Sequence, residues 1–287
     1  MPPVLVIARL TVQEASRRRL LLALVVLTLI VVGFSAWGFH KIVNVTHADG
    51  TPLEPAAVAL ITSQLLIVIT FMFSGILALS AAVVAAPLIA AEVESGLLLS
   101  MLARPLRRSE VVIGKWLGLA VLVAIYAAGS AALELTAVGW ATGYLPPHPV
   151  QLVLYVCAEG LVLLSLGLLL STRLSGITAG VIALVTWLMG WIGGVVGDIG
   201  TALGNQSVQD VGVISHLILP TDGLWRGAIY AMEPDTFLAA MKAAGVAARA
   251  NPFLAVDPPP ITFLTWVVVW FALVLGLSVW SFRTREI

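Results

Sequence analysis

Two carboxylates, Glu134 and Glu159, stand in otherwise apolar stretches of the chain. An ionisable side chain at membrane depth is costly and is a candidate for handling substrate or protons. Each lies about nine residues from the outer end of its stretch, so at ~1.5 Å per residue both sit at a depth of roughly 13 Å. On neighbouring helices they could face one another or one cavity, and two close carboxylates cannot both stay ionised cheaply. The plainer alternative is that each is a neutral acid, hydrogen-bonded to helix or Ser/Thr groups and acting as packing glue. His40, His47, His148 and His216 could in principle serve copper or zinc. No pair of them has close ligand spacing, and no metal site is expected. The lone Cys157 excludes an intrachain disulfide and a CxxC motif. No G-x-x-x-x-G-K-[ST] phosphate loop occurs: Gly114-Lys115 is followed by Trp116 and lacks the upstream glycine. Hydrolysis of ATP would have to come from another polypeptide. No HExxH, GxGD or GxSG falls in an apolar stretch, which ranks an intramembrane protease far down.

The elements that must position these groups follow from composition. Of 287 residues 60% are apolar and only 10% charged, and the mean hydropathy is +1.05. A soluble domain carries about 25% charged residues, so the chain reads as an all-α polytopic membrane protein. Six stretches reach the ~20 apolar residues a bilayer requires: Leu20 to Phe39, within Ala57 to Ala91, within Val111 to Tyr144, Leu152 to Leu170, Gly176 to Gly197, and Ile261 to Phe282. The second and third are too long for one straight crossing, and Pro87 breaks the second near its end. The fourth survives its carboxylate. A central acid costs roughly 2.5 to 3.5 kcal/mol, whereas nine Leu and three Val return roughly 4 to 7.

Eleven of the fifteen basic residues, Arg9, Arg17, Arg18, Arg19, Arg104, Arg107, Arg108, Lys115, Arg173, Arg283 and Arg285, fall on the side of both termini. That side is therefore expected to be cytoplasmic, in an inner (plasma) membrane. The zero net charge resolves into a basic inner side, an acidic outer side and two intramembrane acids. Trp116 and Trp280 at inner span ends, and Trp37 and Trp140 at outer ones, suit the headgroup level.

The segment 1–19 reads as an amphipathic interface helix, with Val4, Ile7, Ala8, Val12 and Ala15 along one stripe. Spans one and two occupy 20–91, a connector 92–110, spans three to five 111–197, and the last span with its tail 261–287. The outer segment 198–260 is too apolar around Val208 to Met232 for a solvated loop, so it is expected to form re-entrant or interfacial helices. Glu233-Pro234-Asp235 starts a helix that Asn251-Pro252 stops. Gly190, Gly193, Gly194 and Gly197 form overlapping G-x-x-x-G steps suited to close helix approach, in a dimer face or within the chain.

The connector carries Glu92 and Glu94 before the apolar run Leu97 to Leu102, and Arg104, Arg107 and Arg108 after it, matching a helix macrodipole. This could seat on a soluble partner or serve as a positive-inside anchor. The sequence Glu94-Ser95-Gly96, an apolar run, Arg104-Pro105-Leu106-Arg107-Arg108, Glu110 and Gly114-Lys115 resembles the connector of ABC-2-type transporter permeases. Leu97 stands where that pattern usually has threonine. Pro220, Asp222 and Arg226 resemble an outer-loop element of the branch linked to multicopper-enzyme and nitrous-oxide-reductase maturation.

The resemblance implies a type V exporter-like permease with six spans, an N-terminal interface helix and a large loop between helices five and six. It implies two permease copies and two ABC ATPase subunits, which hold the ATP and Mg; this chain carries no cofactor and no catalytic residue. Glu92, Glu94, Gly96, Arg104, Pro105, Arg107, Arg108, Glu110 and Lys115 would then couple to the ATPase, and Glu134 and Glu159 would border the translocation path. Lipid surrounds the spans, the outer loop leaves a face for an extracytoplasmic accessory protein, and nucleic acid is not a partner. The competing reading is a proton-coupled secondary transporter using Glu134 and Glu159, which usually shows an internal repeat; none is evident.

Overall fold

The computed structural model describes residues 2–16, 19–45, 51–85, 107–245 and 251–285. Ten helices run through them: α1 (Pro3–Ser16), α2 (Arg19–Val43), α3 (Pro55–Ala85), α4 (Arg108–Thr142), α5 (Pro149–Ser171), α6 (Gly176–Leu203), α7 (Gln206–Ile218), α8 (Thr221–Met232), α9 (Asp235–Ala244) and α10 (Ile261–Arg283). Six of these, α2 to α6 and α10, are long and apolar enough to cross a membrane. Each expected stretch therefore has its helix, and the molecule is an all-α polytopic membrane protein. Pro87, Ala91 and the connector residues Glu92, Glu94, Gly96, Arg104 and Pro105 lie outside the described residues.

Helix ends follow local chemistry. The backbone N–H of Arg107 donates to the Glu110 carboxylate at 2.9 Å, closing the first turn of α4 as a capping residue does. The 35 residues of α4 extend roughly 50 Å, well beyond a bilayer core of about 30 Å. Gly143 ends it at φ +73°, a conformation that suits glycine. The fifth span does not stop at Gly197 as the sequence suggests. It continues to Leu203 and ends at Gly204, φ +65°, because its glycines serve close packing instead of termination.

Helix α5 is the axis of the bundle. More than half of its apolar window (56%) is buried against protein, compared with 17% for the peripheral α2, and α3, α4, α6, α8 and α10 all pack on it. Helix α1 rests on α4 through Ile7, Thr11 and Ala15, its buried stripe. Gly114 and Gly118 permit this contact: a Cβ at 114 would meet Ile7 Cβ at 2.8 Å, and one at 118 the Ala8 carbonyl at 2.5 Å. Most of the stripe that the sequence assigns to the membrane surface thus faces α4, and Leu5, Val6 and Leu10 are the exposed apolar residues instead. Trp116 turns inward, where its indole donates to Ser165 Oγ of α5 at 2.9 Å.

The segment after α6 folds back into the bundle. Helix α7 runs antiparallel along α6, with Gly212 against Gly197, Ser215 against Gly193, and Val208 beside Gly200. The turn at Leu219-Pro220 sits beside Gly190, about 20 Å along α6 from Gly204, and α8 then returns to meet α5 and α3. Together α7 and α8 form a helical hairpin folded back along α6, and the glycine stripe is used within the chain. Non-helical backbone at membrane depth must be satisfied by protein. Here the Trp270 indole of α10 donates to the Ile218 carbonyl at 2.9 Å, and Leu219 at the tip is fully enclosed.

Candidate functional site

The hairpin tip carries a buried ionic cluster. Asp222 opens α8, where its carboxylate fills the space left by the missing side chain of Gly194. Its Oδ2 meets His216 Nε2 at 2.8 Å and accepts from Arg226 Nε, one helical turn on, at 2.8 Å. The Arg226 guanidinium also pairs through Nη1 with Asp198 of α6. Burial works against the Arg226 charge, yet Asp222 and Asp198 more than compensate and hold its pKa above the ordinary value. The cluster borders an open cavity of about 330 Å³, walled opposite by 254–260 and Phe263. Pro220, Asp222 and Arg226 are therefore brought together, as expected from their proximity. Asp198 and His216 were not legible as members: His216 reads as a loop histidine until the hairpin places it one turn before the tip. The available signal is Asp222 and Arg226 at i, i+4 in an apolar helix, which demands further charge partners.

The two intramembrane carboxylates are not brought together. Glu134 of α4 accepts from Ser35 of α2, leaves its Oε2 unpaired, and borders a small cavity with Thr70, Ser130 and Val156. Glu159 of α5 accepts from Ser74 Oγ of α3 at 2.8 Å and from the Trp187 indole of α6 at 3.3 Å. It borders a different cavity, shared with Asp222. Both residues are only 2% exposed, so each has a reason to be hydrogen-bonded.

A third acid fixes the far end of the hairpin. Glu233, fully buried after α8, accepts from Gln64 Nε2 at 2.8 Å and Ser63 Oγ at 3.2 Å, both on α3. Tyr144 donates to the adjacent Met232 carbonyl at 2.6 Å. Burial pushes the Glu233 carboxyl up to about 6, from its ordinary 4.5. The folded state then holds a proton that the unfolded state releases between those values, so stability falls as pH rises from 4.5 to 6. Above that window the penalty stays near 2 kcal/mol. We expect Glu233→Gln to be more stable than wild type at pH 7 and equal to it near pH 4. Thermal unfolding of both proteins across that range checks this; a constant difference between them would refute it.

The expected coupling residues divide. Arg107 is exposed and Lys115 buried, Glu110 caps α4, and Arg108 donates to the carbonyls of Phe282 (3.3 Å), Arg283 (3.1 Å) and Arg285 (2.7 Å) at the end of α10. A cation suits a helix C-terminus. Arg173 bonds Ser281 Oγ at 3.0 Å, and Arg285 bonds the Thr172 carbonyl at 2.7 Å. These arginines bind the ends of α4, α5 and α10 into one knot immediately after the connector.

A family model described as "ABC-2 family transporter protein" matches residues 5–287 of the chain. No curated protein matches it.

Proposed function

The chain belongs to the ABC-2 family of transporter proteins, and from that membership we propose that it is the membrane permease of an ATP-driven exporter. Two copies assemble with two separate ATP-hydrolysing subunits, which hold the ATP and Mg, on a cytoplasmic face formed by the arginine-rich end and both termini. The observation that carries this reading is a family match extending over all six spans and the helical hairpin. The segment 92–110 is read as the coupling connector, with Glu92, Glu94, Gly96, Arg104, Pro105 and Arg107 assigned to contact with the ATPase. Arg108, Glu110 and Lys115 act behind these contacts. Because Arg108 ties the start of α4 to the end of α10, a push on the connector would move both helices together, a rigid-body route to alternating access.

Pro220, Asp222 and Arg226, the element similar to the multicopper-maturation branch, are assigned here to holding the hairpin tip. Glu134 and Glu159 border the path separately. A proton-coupled carrier draws less support, since the two acids have different partners and different cavities. The test is copurification with a candidate ATPase, using Arg104→Glu/Arg107→Glu. Arg108 is left intact because its reversal would also break the α10 contact. We expect association to be lost while the permease remains folded; retained binding together with retained nucleotide-driven transport would overturn the connector assignment.

A further inference from the structure

Below the ionic cluster, side chains of four helices converge on a closely packed aromatic box. Phe71 of α3 lines it, with ring centroids 6.1 Å from Trp187, 5.0 Å from Trp191 and 5.5 Å from Trp225. Glu159 and Asp222 complete the lining, with no basic side chain among the described residues that border it. The Glu159 partners, Ser74 and Trp187, are neutral, and Arg226 and His216 both engage the other oxygen of Asp222. Asp222 is compensated by Arg226, so Glu159 is the acid of the box without a basic partner among the described residues, and the aromatic, acid-bearing wall of the box favours cations over anions.

It is also incompletely satisfied. Asp222 Oδ1, Thr221 Oγ1 and the indole N–H groups of Trp191 and Trp225 have no hydrogen-bond partner. Asp222, Thr221 and Trp225 are each only 2% exposed. Buried polar atoms normally find partners, and those that do not need a reason. No part of the space between these side chains is wide enough for a water molecule. Phe71 is itself part of the wall, and its half-buried ring also lies 5.6 Å from that of Phe253.

We infer that this box is a binding site, closed here, for a compact organic cation of the amino-alcohol type. Aromatic faces attract a quaternary or tertiary ammonium, Glu159 supplies the negative potential, and the unpaired indole N–H groups can donate to a hydroxyl oxygen nearby. That this cation is cargo rests on the export reading above; the binding site itself does not. Because three of the nine tryptophans line the box, intrinsic fluorescence reports its occupation.

The experiment titrates the full-length protein in detergent with choline and, in parallel, with its neutral isostere 3,3-dimethyl-1-butanol. We expect a saturable fluorescence change with choline and a response weaker by about tenfold or more with the isostere. Glu159→Gln should weaken choline by a similar factor, and Trp225→Phe provides a second variant should the first fail to fold. Equal binding of the isostere, no saturable response to choline, or unchanged affinity in folded Glu159→Gln would overturn the proposal. Repeating the titration in phosphatidylcholine and phosphatidylglycerol nanodiscs separates the sources: suppression only in phosphatidylcholine assigns a lipid headgroup, and equal responses assign the free cation. Neither nucleotide nor ATPase is present. Failure of binding therefore leaves the ATP-coupled reading standing, and failure of ATPase copurification leaves the site standing without its role in export.

Discussion

Gly194→Ala is expected to yield protein that does not fold to a monodisperse state, the largest effect anticipated for so small a change. A Cβ at this position would overlap the Asp222 carboxylate, meeting first the oxygen, Oδ2, that His216 and Arg226 hold. The displaced group is a side-chain end, but it can yield only by breaking its contacts with His216 and Arg226, and α6 is held in place by α7 packed against Gly193, Gly197 and Gly200. Overpacking of this kind costs typically 1–3 kcal/mol when the core can adjust. Here the displaced group is a buried, paired charge, so the loss should exceed about 3 kcal/mol. The control is Gly33→Ala in α2, where a Cβ meets nothing within 4 Å and little change is expected. Fluorescence-detected size exclusion after heating compares the two, and equal melting of both variants would contradict the account of the hairpin tip.

Arg226→Met should be nearly as damaging, for an electrostatic reason. It leaves Asp222 and Asp198 facing each other in a site where the side chains are 0% and 25% exposed. Removing one partner of a buried ion pair costs roughly 3–5 kcal/mol, because the remaining charge is uncompensated. Neutralising those charges should recover much of the loss, so Arg226→Met/Asp198→Asn/Asp222→Asn is expected to melt well above the single variant. The single and triple variants melting together would mean that packing of the Arg226 stem, and not its charge, holds the tip. His216 stays beside Asp222 in both designs, so the comparison isolates the guanidinium.

These sites mark the limit of what the sequence makes legible. The six spans follow from length and apolarity, since a bilayer imposes both on any helix that crosses it. The glycines of α6 were legible as a surface for close approach, but a row of small residues says nothing about what approaches. Gly212 supplies the match only because α7 runs antiparallel, a fact carried by chain geometry. Glu134 and Glu159 stood out as costly, whereas their separation depended on which neighbour supplied a hydroxyl: Ser35 of α2 for one, Ser74 of α3 for the other. Asp198 and His216 escaped notice because a long-range ion cluster has no fixed spacing. The apolar stripe of α1 was real, but apolarity alone does not distinguish lipid from the glycine face of α4.

The hairpin also imposes an order on how the protein is made. Helix α7 has 13 residues and α8 has 12, at most ~20 Å each, so neither can enter the bilayer as a span. Their tip is completed by Trp270 and Phe263 of α10, which the ribosome delivers after both. The packing at the tip can therefore be completed only after α10 has been made.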